Sequence, residues 1–276
     1  MEIYSENLYR EDSVMSISWD FYSTVYGLDF NLQVMKRDGL DYKGEFRDSL
    51  LSFYKVPASI KAGEGRLPID ASKYKVLCDD TALLKAAVLK NYDMMGLKEI
   101  PASGTLTINS KAYLRTFLVK AYYFAKSLEL LMPKAEAVQY YQKLVDERTR
   151  KDGADAKVEN VAEYLFKNTK MKGAFDGAFN YSECEPGPGR LAKAIKKCKW
   201  CEVLKEVNDP DYAYAIACHY DFEATKAENP AFALTRSGTL MHGKPYCDFL
   251  WHDTRIDQDL SHPPKEFWDA LSAGQR

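Results

Sequence analysis

Between Ser110 and Leu131 apolar side chains recur at Leu114, Phe117, Leu118, Ala121, Phe124, Ala125, Leu128 and Leu131. This is the i, i+3, i+4, i+7 spacing of a helix with one buried face, and it predicts a helix opened by Ser110 and stopped at Pro133. A second helix is expected from Lys134 to about Arg150, with Ala137, Tyr140, Tyr141, Leu144 and Val145 inward and Asp146-Glu147-Arg148 outward. The two read as an antiparallel hairpin. Upstream, Leu83, Ala86, Ala87 and Tyr92 share one face of a helix that starts after Asp80 and ends at Gly96. The first 75 residues mix short apolar segments and are the least readable third. Gly39, Gly44, Pro57, Gly63, Gly65 and Pro68 divide them into what reads as short helices joined by loops, and Ile100 to Asn109 reads as a connector.

Past Arg150 the pattern changes. Lys151 to Lys157 (KDGADAK) has the composition of a connection, so a mainly helical region, 1–150, and an α+β region, 151–276, are expected. Val158 to Lys170 reads as helix, Phe175 to Cys184 as a strand, Glu185 to Gly189 as a turn and Arg190 to Val207 as helix. Asp211 to Asn229 is helical in character, with a break near Cys218-His219, and Pro230 ends it. Phe232 to Leu240 and Tyr246 to His252 are β-type runs joined by Met241 to Pro245, which together read as a hairpin, and a short last helix covers Phe267 to Leu271. The fold class expected is α+β, a largely helical N-terminal part with a C-terminal antiparallel sheet.

Composition narrows the function classes. Hydrophobic residues are 46% of the 276 positions and charged ones 28%, which sets aside disordered and low-complexity classes. A formal charge of −2 provides no footprint for a phosphate backbone, so nucleic acid is not an expected partner. No run approaches the roughly 18 apolar residues of a membrane-spanning helix. Glu2, Glu6 and Arg10 stand where a signal peptide would be apolar, so a soluble, cytoplasmic chain without a membrane partner is expected. The six cysteines, Cys78, Cys184, Cys198, Cys201, Cys218 and Cys247, are expected as thiols.

Three sets of residues carry candidate chemistry. Gly187-Pro188-Gly189-Arg190 matches a phosphate-cradling glycine pattern on paper, but Pro188 removes a backbone donor and no βαβ alternation surrounds it, so it reads as a turn into a helix. Cys198-Lys199-Trp200-Cys201 has zinc-pair spacing; a closed site would need two more ligands from Cys218, His219, Asp221, His242 and Cys247, and buried thiols are the plainer reading. The third set is denser: Cys218-His219-Tyr220-Asp221, Arg236 to Thr239, His242, and Cys247-Asp248-Phe249. Cys218 and Asp221 lie one helical turn apart, and strand alternation puts Cys247 and Phe249 on one face with Asp248 on the other. Thiols, carboxylates, imidazoles and a guanidinium are the types that activate a nucleophile and hold an anion.

The same stretch resembles the L-2-amino-thiazoline-4-carboxylic acid hydrolase family. The features that carry the resemblance are Cys198, Cys218-His219-Tyr220-Asp221, Asn229-Pro230, Thr235-Arg236-Ser237-Gly238-Thr239-Leu240, His242-Gly243 and Cys247-Asp248-Phe249, in the family's order and spacing. Ser237 departs from the family's threonine, and Cys201 lies outside the pattern. The resemblance implies hydrolytic opening of a carbon–nitrogen bond in a small cyclic amidine, as in converting 2-aminothiazoline-4-carboxylate to a carbamoyl-cysteine.

From the chemistry of the side chains, Arg236 is expected to pair with a substrate carboxylate, with Thr239 beside it as a second substrate-binding group. Cys247 or Cys218 is expected to attack as thiolate, with His219 or His242 moving the proton and Asp221 or Asp248 orienting the histidine or activating water. The partner expected is a small molecule bearing a carboxylate, with a homodimer as the commonest assembly. No cofactor is required; zinc held by the same groups is the rival mechanism, and a small-molecule-binding module or a non-hydrolytic rearrangement is the rival function.

Overall fold

The computed structural model describes residues 2–7, 9, 11–61, 67, 69–99, 103–153, 158–164 and 178–274. In chain order the elements are β1 (Tyr4–Asn7), β2 (Asp12–Ser16), α1 (Ile17–Arg37), α2 (Glu45–Phe53), α3 (Thr81–Met94), β3 (Thr105–Asn109), α4 (Ser110–Ser127) and α5 (Lys134–Gly153). They continue with β4 (Phe179–Gly187), β5 (Arg190–Cys198), α6 (Lys199–Lys205), α7 (Pro210–Ala217), α8 (Tyr220–Glu228), β6 (Phe232–Thr235), β7 (Cys247–Asp253) and α9 (Lys265–Ala273). The class is α+β. The chain divides into two compact units, Glu11–Leu144, and Met1–Arg10 with Val145–Arg276.

In the unit Glu11–Leu144 the periodic helices form where their spacing puts them. Leu114, Leu118, Phe124 and Ala125 of α4 are buried, and Phe124 meets Phe46 of α2 edge to face at 5.3 Å. Asn109, one residue ahead of the predicted Ser110, caps α4 by accepting from the N–H of Lys111 and Ala112. Asp80 caps α3 by accepting from Leu83 at 3.1 Å, an arrangement that contributes about 1 kcal/mol.

The reading fails in the first third of the chain. In place of short helices α1 runs 21 residues: its buried Ile17, Phe21, Val25, Leu28, Leu32 and Met35 form one helical stripe, and Phe30 and Val34 are buried on the opposite side. The expected connector ends in β3, which pairs antiparallel with β2 from Asp12↔Asn109 to Ser16↔Thr105. Its partner is some ninety residues away in the chain, beyond any local pattern.

The other unit is built on a five-stranded antiparallel sheet in the order β1-β4-β5-β7-β6. The connection expected at Lys151 begins inside α5; residues 154–157, 165–170 of the expected helix and 175–177 of the expected strand lie outside the described residues, and Val161–Tyr164 form a 3₁₀ turn. Gly187 to Arg190 does not open a helix. Pro188-Gly189, with Gly189 at φ +69°, is the residue pair of a type II turn and joins β4 to β5. The helix expected over Arg190–Val207 is therefore a strand followed by the short α6. Ala, Leu and Lys favour helices in isolation, but β5 bonds to β4 on one edge and β7 on the other, and that pairing overrides propensity. Lys193 is buried in β5 beside Glu183 of β4, 3.4 Å away, with its amine donating to the Tyr164 carbonyl.

The break at Cys218-His219 separates α7 from α8 as expected, the N–H groups of both residues bonding to the Tyr214 carbonyl. The C-terminal hairpin is also present but shorter. β6 ends at Thr235, so residues 236–246 are a connection containing a 3₁₀ turn at Leu240–His242, not strand and tight loop. Along β7, Cys247, Phe249 and Trp251 oppose Ile195, Lys193 and Leu191, while Asp248, Leu250 and His252 oppose Ala194, Ala192 and Arg190. The second of these faces is covered by α9, whose Trp268 and Leu271 pack on Ala192, Ala194 and Leu250.

Candidate active site

The first face of the sheet gathers sulfur. Cys247 opens β7 and packs with Tyr181, Ile195 and Phe249. Cys198 joins this cluster because the β4–β5 register shifts between Asn180 and Tyr181, and the extra residue returns Cys198 to the side of Ile195. Cys218, at the end of α7, is close enough to Cys247 and Cys198 for their charges to raise its pKa.

Arg236 leaves the end of β6 and enters this cluster, its side chain only 2% exposed. Its guanidinium lies over the rings of Phe222 at 4.8 Å and Phe249 at 5.0 Å. Nη1 donates to Asp221 Oδ2 at 2.5 Å, and Nη2 donates to the Cys218 carbonyl at 2.8 Å and the Tyr214 hydroxyl at 3.1 Å. Three of the five guanidinium hydrogens are thus used, and among the described residues the Nε–H and one Nη1–H take no acceptor. Such a pair satisfies the cost of burying each charge, which neither partner meets alone.

Burial sets the proton affinities here. It lifts the Asp221 carboxyl to about 6, against the pull of Arg236. It pushes the Cys247 thiol up to about 12, although the Leu240 N–H, 3.3 Å from the sulfur, and Arg236 favour the thiolate. Burial and the Asp221 charge hold Cys218 well above the usual thiol range, and burial raises Cys198 despite the amides of Cys201 and Trp200. At neutral pH these sulfurs carry protons, and Asp221 is the adjacent group that can accept one.

The remaining predicted residues are placed differently. Asp248 points to the opposite face, where its Oδ1 accepts the N–H of Ser237 at 3.0 Å and Gly238 at 2.8 Å, and its Oδ2 accepts the Ser237 hydroxyl. It pins the connection that carries Arg236. Arg236, Gly238 and Leu240 all lie beyond the end of β6, in the connection to β7. Thr239 is buried, its hydroxyl accepting the His242 N–H at 3.2 Å to cap the 3₁₀ turn. The His242 ring stacks on Tyr214 with centroids 4.6 Å apart, one side chain removed from Arg236. His219 Nε2 lies 2.9 Å from Asp146 Oδ1 of α5. Neither histidine bonds a thiol among the described residues. No group of three His, Cys, Asp or Glu among them is arranged to hold a metal ion, the Cys198/Cys201 pair included.

Sequence reasoning missed Tyr214 and Phe222, which sit on helices without a motif and join the site through Arg236. It also missed His252, although alternation along YCDFLWH places it with Asp248; His262 follows an irregular stretch that carries no periodicity.

A model of the L-2-amino-thiazoline-4-carboxylic acid hydrolase family matches residues 114–251. The chain belongs to this hydrolase family. The match covers half of the chain and contains Cys198, Cys218, Asp221, Arg236, Cys247 and Asp248, and it ends one residue before His252. No curated protein and no solved structure matches the chain. No helix among the described residues is long and apolar enough to cross a membrane.

Proposed function

We propose that this hydrolase opens a small cyclic amidine bearing a carboxylate, such as 2-aminothiazoline-4-carboxylate, at the cluster of Cys218, Asp221, Arg236 and Cys247. The observation that carries the reading is the buried Asp221–Arg236 pair, which keeps two unspent N–H donors among three thiols. Those donors receive the substrate carboxylate, and the aromatic rings around the guanidinium exclude water from it. Asp221 takes the proton of the attacking thiol, Cys218 or Cys247, as the sulfur bonds to the amidine carbon. The ring nitrogen gains the proton that the exocyclic amine gives up as the C=N bond re-forms on that amine's side. Collapse expels the ring sulfur, which leaves with the proton from Asp221. Water then attacks the enzyme-bound carbon and releases the cysteine thiol, for a net gain of one water. A carbamoyl-cysteine retains both nitrogens on that carbon, so for this substrate the bond that breaks is carbon–sulfur; carbon–nitrogen cleavage applies to rings without sulfur.

The test is mass spectrometry of the purified protein with 2-aminothiazoline-4-carboxylate, beside Cys218→Ser and Cys247→Ser. Wild type is expected to yield a product heavier by one water with a new free thiol, and the nucleophile's variant to lose on the order of 10³-fold or more in kcat. If both variants stay within about tenfold of wild type, the thiol mechanism is wrong. A raised melting temperature with substrate and no product would instead identify a binding module.

A further inference from the structure

On the sheet face opposite the thiols, side chains of β6, β7 and the segment after them form a continuous hydrogen-bonded line. Asp248 Oδ2 lies 3.2 Å from His262 Nε2, and His262 Nδ1 lies 3.0 Å from Thr235 Oγ1. Thr235 Oγ1 lies 3.0 Å from His252 Nε2, and His252 Nδ1 lies 2.7 Å from Asp257 Oδ2. Arg190 closes the far end with two bonds to Asp257, at 2.6 and 2.8 Å.

The partners order the protons along this line. Arg190, with His252, holds the Asp257 carboxyl at about 2, so it accepts from His252 Nδ1–H, and the tautomer with that proton turns Nε2 to Thr235 as an acceptor. Thr235 therefore donates its hydroxyl proton to His252. At the other end Asp248 already accepts from Ser237 and Gly238, which makes it an acceptor toward His262 as well. His262 thus turns Nε2 to Asp248 and Nδ1 to the Thr235 oxygen, which keeps a lone pair.

We propose that Thr235 is a nucleophilic hydroxyl, with His252 as its general base and Asp257 orienting that base, and that the three form a second reactive centre for small acyl compounds such as activated esters. Both bonds fall in the range of about 2.6–3.2 Å that defines a nucleophile, its base and an orienting group. His252 is fully buried, which keeps the base from water, and Thr235 is half-buried. His262, stacked on Trp268 with centroids 5.0 Å apart, is held beside the Thr235 oxygen. In the reaction the Thr235 oxygen bonds to the acyl carbon as its proton passes to His252 Nε2. The bond to the leaving group then breaks, and His252 returns the proton to it. Water hydrolyses the acyl-threonine by the same transfer. This centre lies on a different face from the thiols, and His252, Asp257 and His262 fall outside the residues matched by the family.

The experiment treats the intact chain with a biotinylated fluorophosphonate and maps the adduct by peptide mass spectrometry. A single adduct on Thr235 is expected, formed as fluoride leaves phosphorus, with labelling slowed about 100-fold or more in His252→Gln. Thr235→Val should lose the adduct and Thr235→Ser should keep it, and the serine variant decides the matter if the valine variant does not fold. No adduct, an adduct elsewhere such as on Ser237, or unchanged labelling of Thr235 in His252→Gln overturns the proposal. Cys218→Ser and Cys247→Ser should label as wild type does, so failure of the ring-opening reaction and failure of this centre are separate results.

Discussion

The two faces of the five-stranded sheet receive alternate residues of the same strand and organise charge in opposite ways. On one, β7 contributes Cys247 and Phe249 to a cluster where the Asp221–Arg236 pair is covered by aromatic rings and the Lys193–Glu183 pair is fully buried, so burial dominates and the ionisable groups favour their neutral forms or their partners. On the other, β7 contributes Asp248 and His252 to a line in which each donor meets an acceptor, and hydrogen bonding holds Asp248 below its usual range even though burial opposes it. A buried charge with one partner is a strained proton acceptor; a chain of satisfied partners is an ordered path for a proton. The lesson is that the alternation of a strand can place two chemistries one residue apart and keep them separate.

The sharpest way to break this contrast is Arg236→Ala. It leaves the half-buried Asp221 without its partner, and a loss of about 3 kcal/mol, the lower end for breaking a buried pair, is expected in denaturant unfolding. Arg236→Lys should recover part of that loss and still bind the substrate carboxylate poorly, seen as a raised KM, because an ammonium cannot reproduce the planar fork. Smaller is Asp248→Ala, which deprives the N–H groups of Ser237 and Gly238 of their acceptor and should cost about 1–3 kcal/mol. Because that acceptor pins the connection carrying Arg236, ring-opening activity should fall as well; unchanged activity would mean the two faces are uncoupled.

The mildest perturbation is pH. Asp221 binds its proton more tightly in the fold than in the unfolded chain, so its contribution to stability is present at low pH and is lost as pH rises from about 4 to about 6. Asp248, held below its usual range, works in the other direction and contributes stability that is lost on acidification. If Asp221 is the proton acceptor, kcat/KM should fall below about pH 6 with one proton's slope, and Asp221→Asn should abolish most activity and remove that limb from what remains. A limb that persists unshifted in residual Asp221→Asn activity would assign the proton to another group.

Much of this was legible before any coordinates. The helices α3, α4 and α5, the break at Cys218-His219 and the approach of β6 to β7 follow from periodicity, caps and turn residues, all of which act over a few positions. Residue types and spacing also singled out the chain's thiols, Asp221 and Arg236, and strand alternation separated Cys247 from Asp248. Tertiary structure alone decided the rest. It made β5 a strand against the helical preference of its residues, because a position between two partner strands outweighs local propensity. It directed His219 to Asp146 and brought Tyr214 and Phe222 to Arg236. It also folded the irregular segment after β7 back so that Asp257 and His262 meet His252 and Thr235. Periodicity reports which side of an element is buried; which groups meet there depends on contacts between residues far apart in the chain, and those are fixed only when the sheet has closed its register.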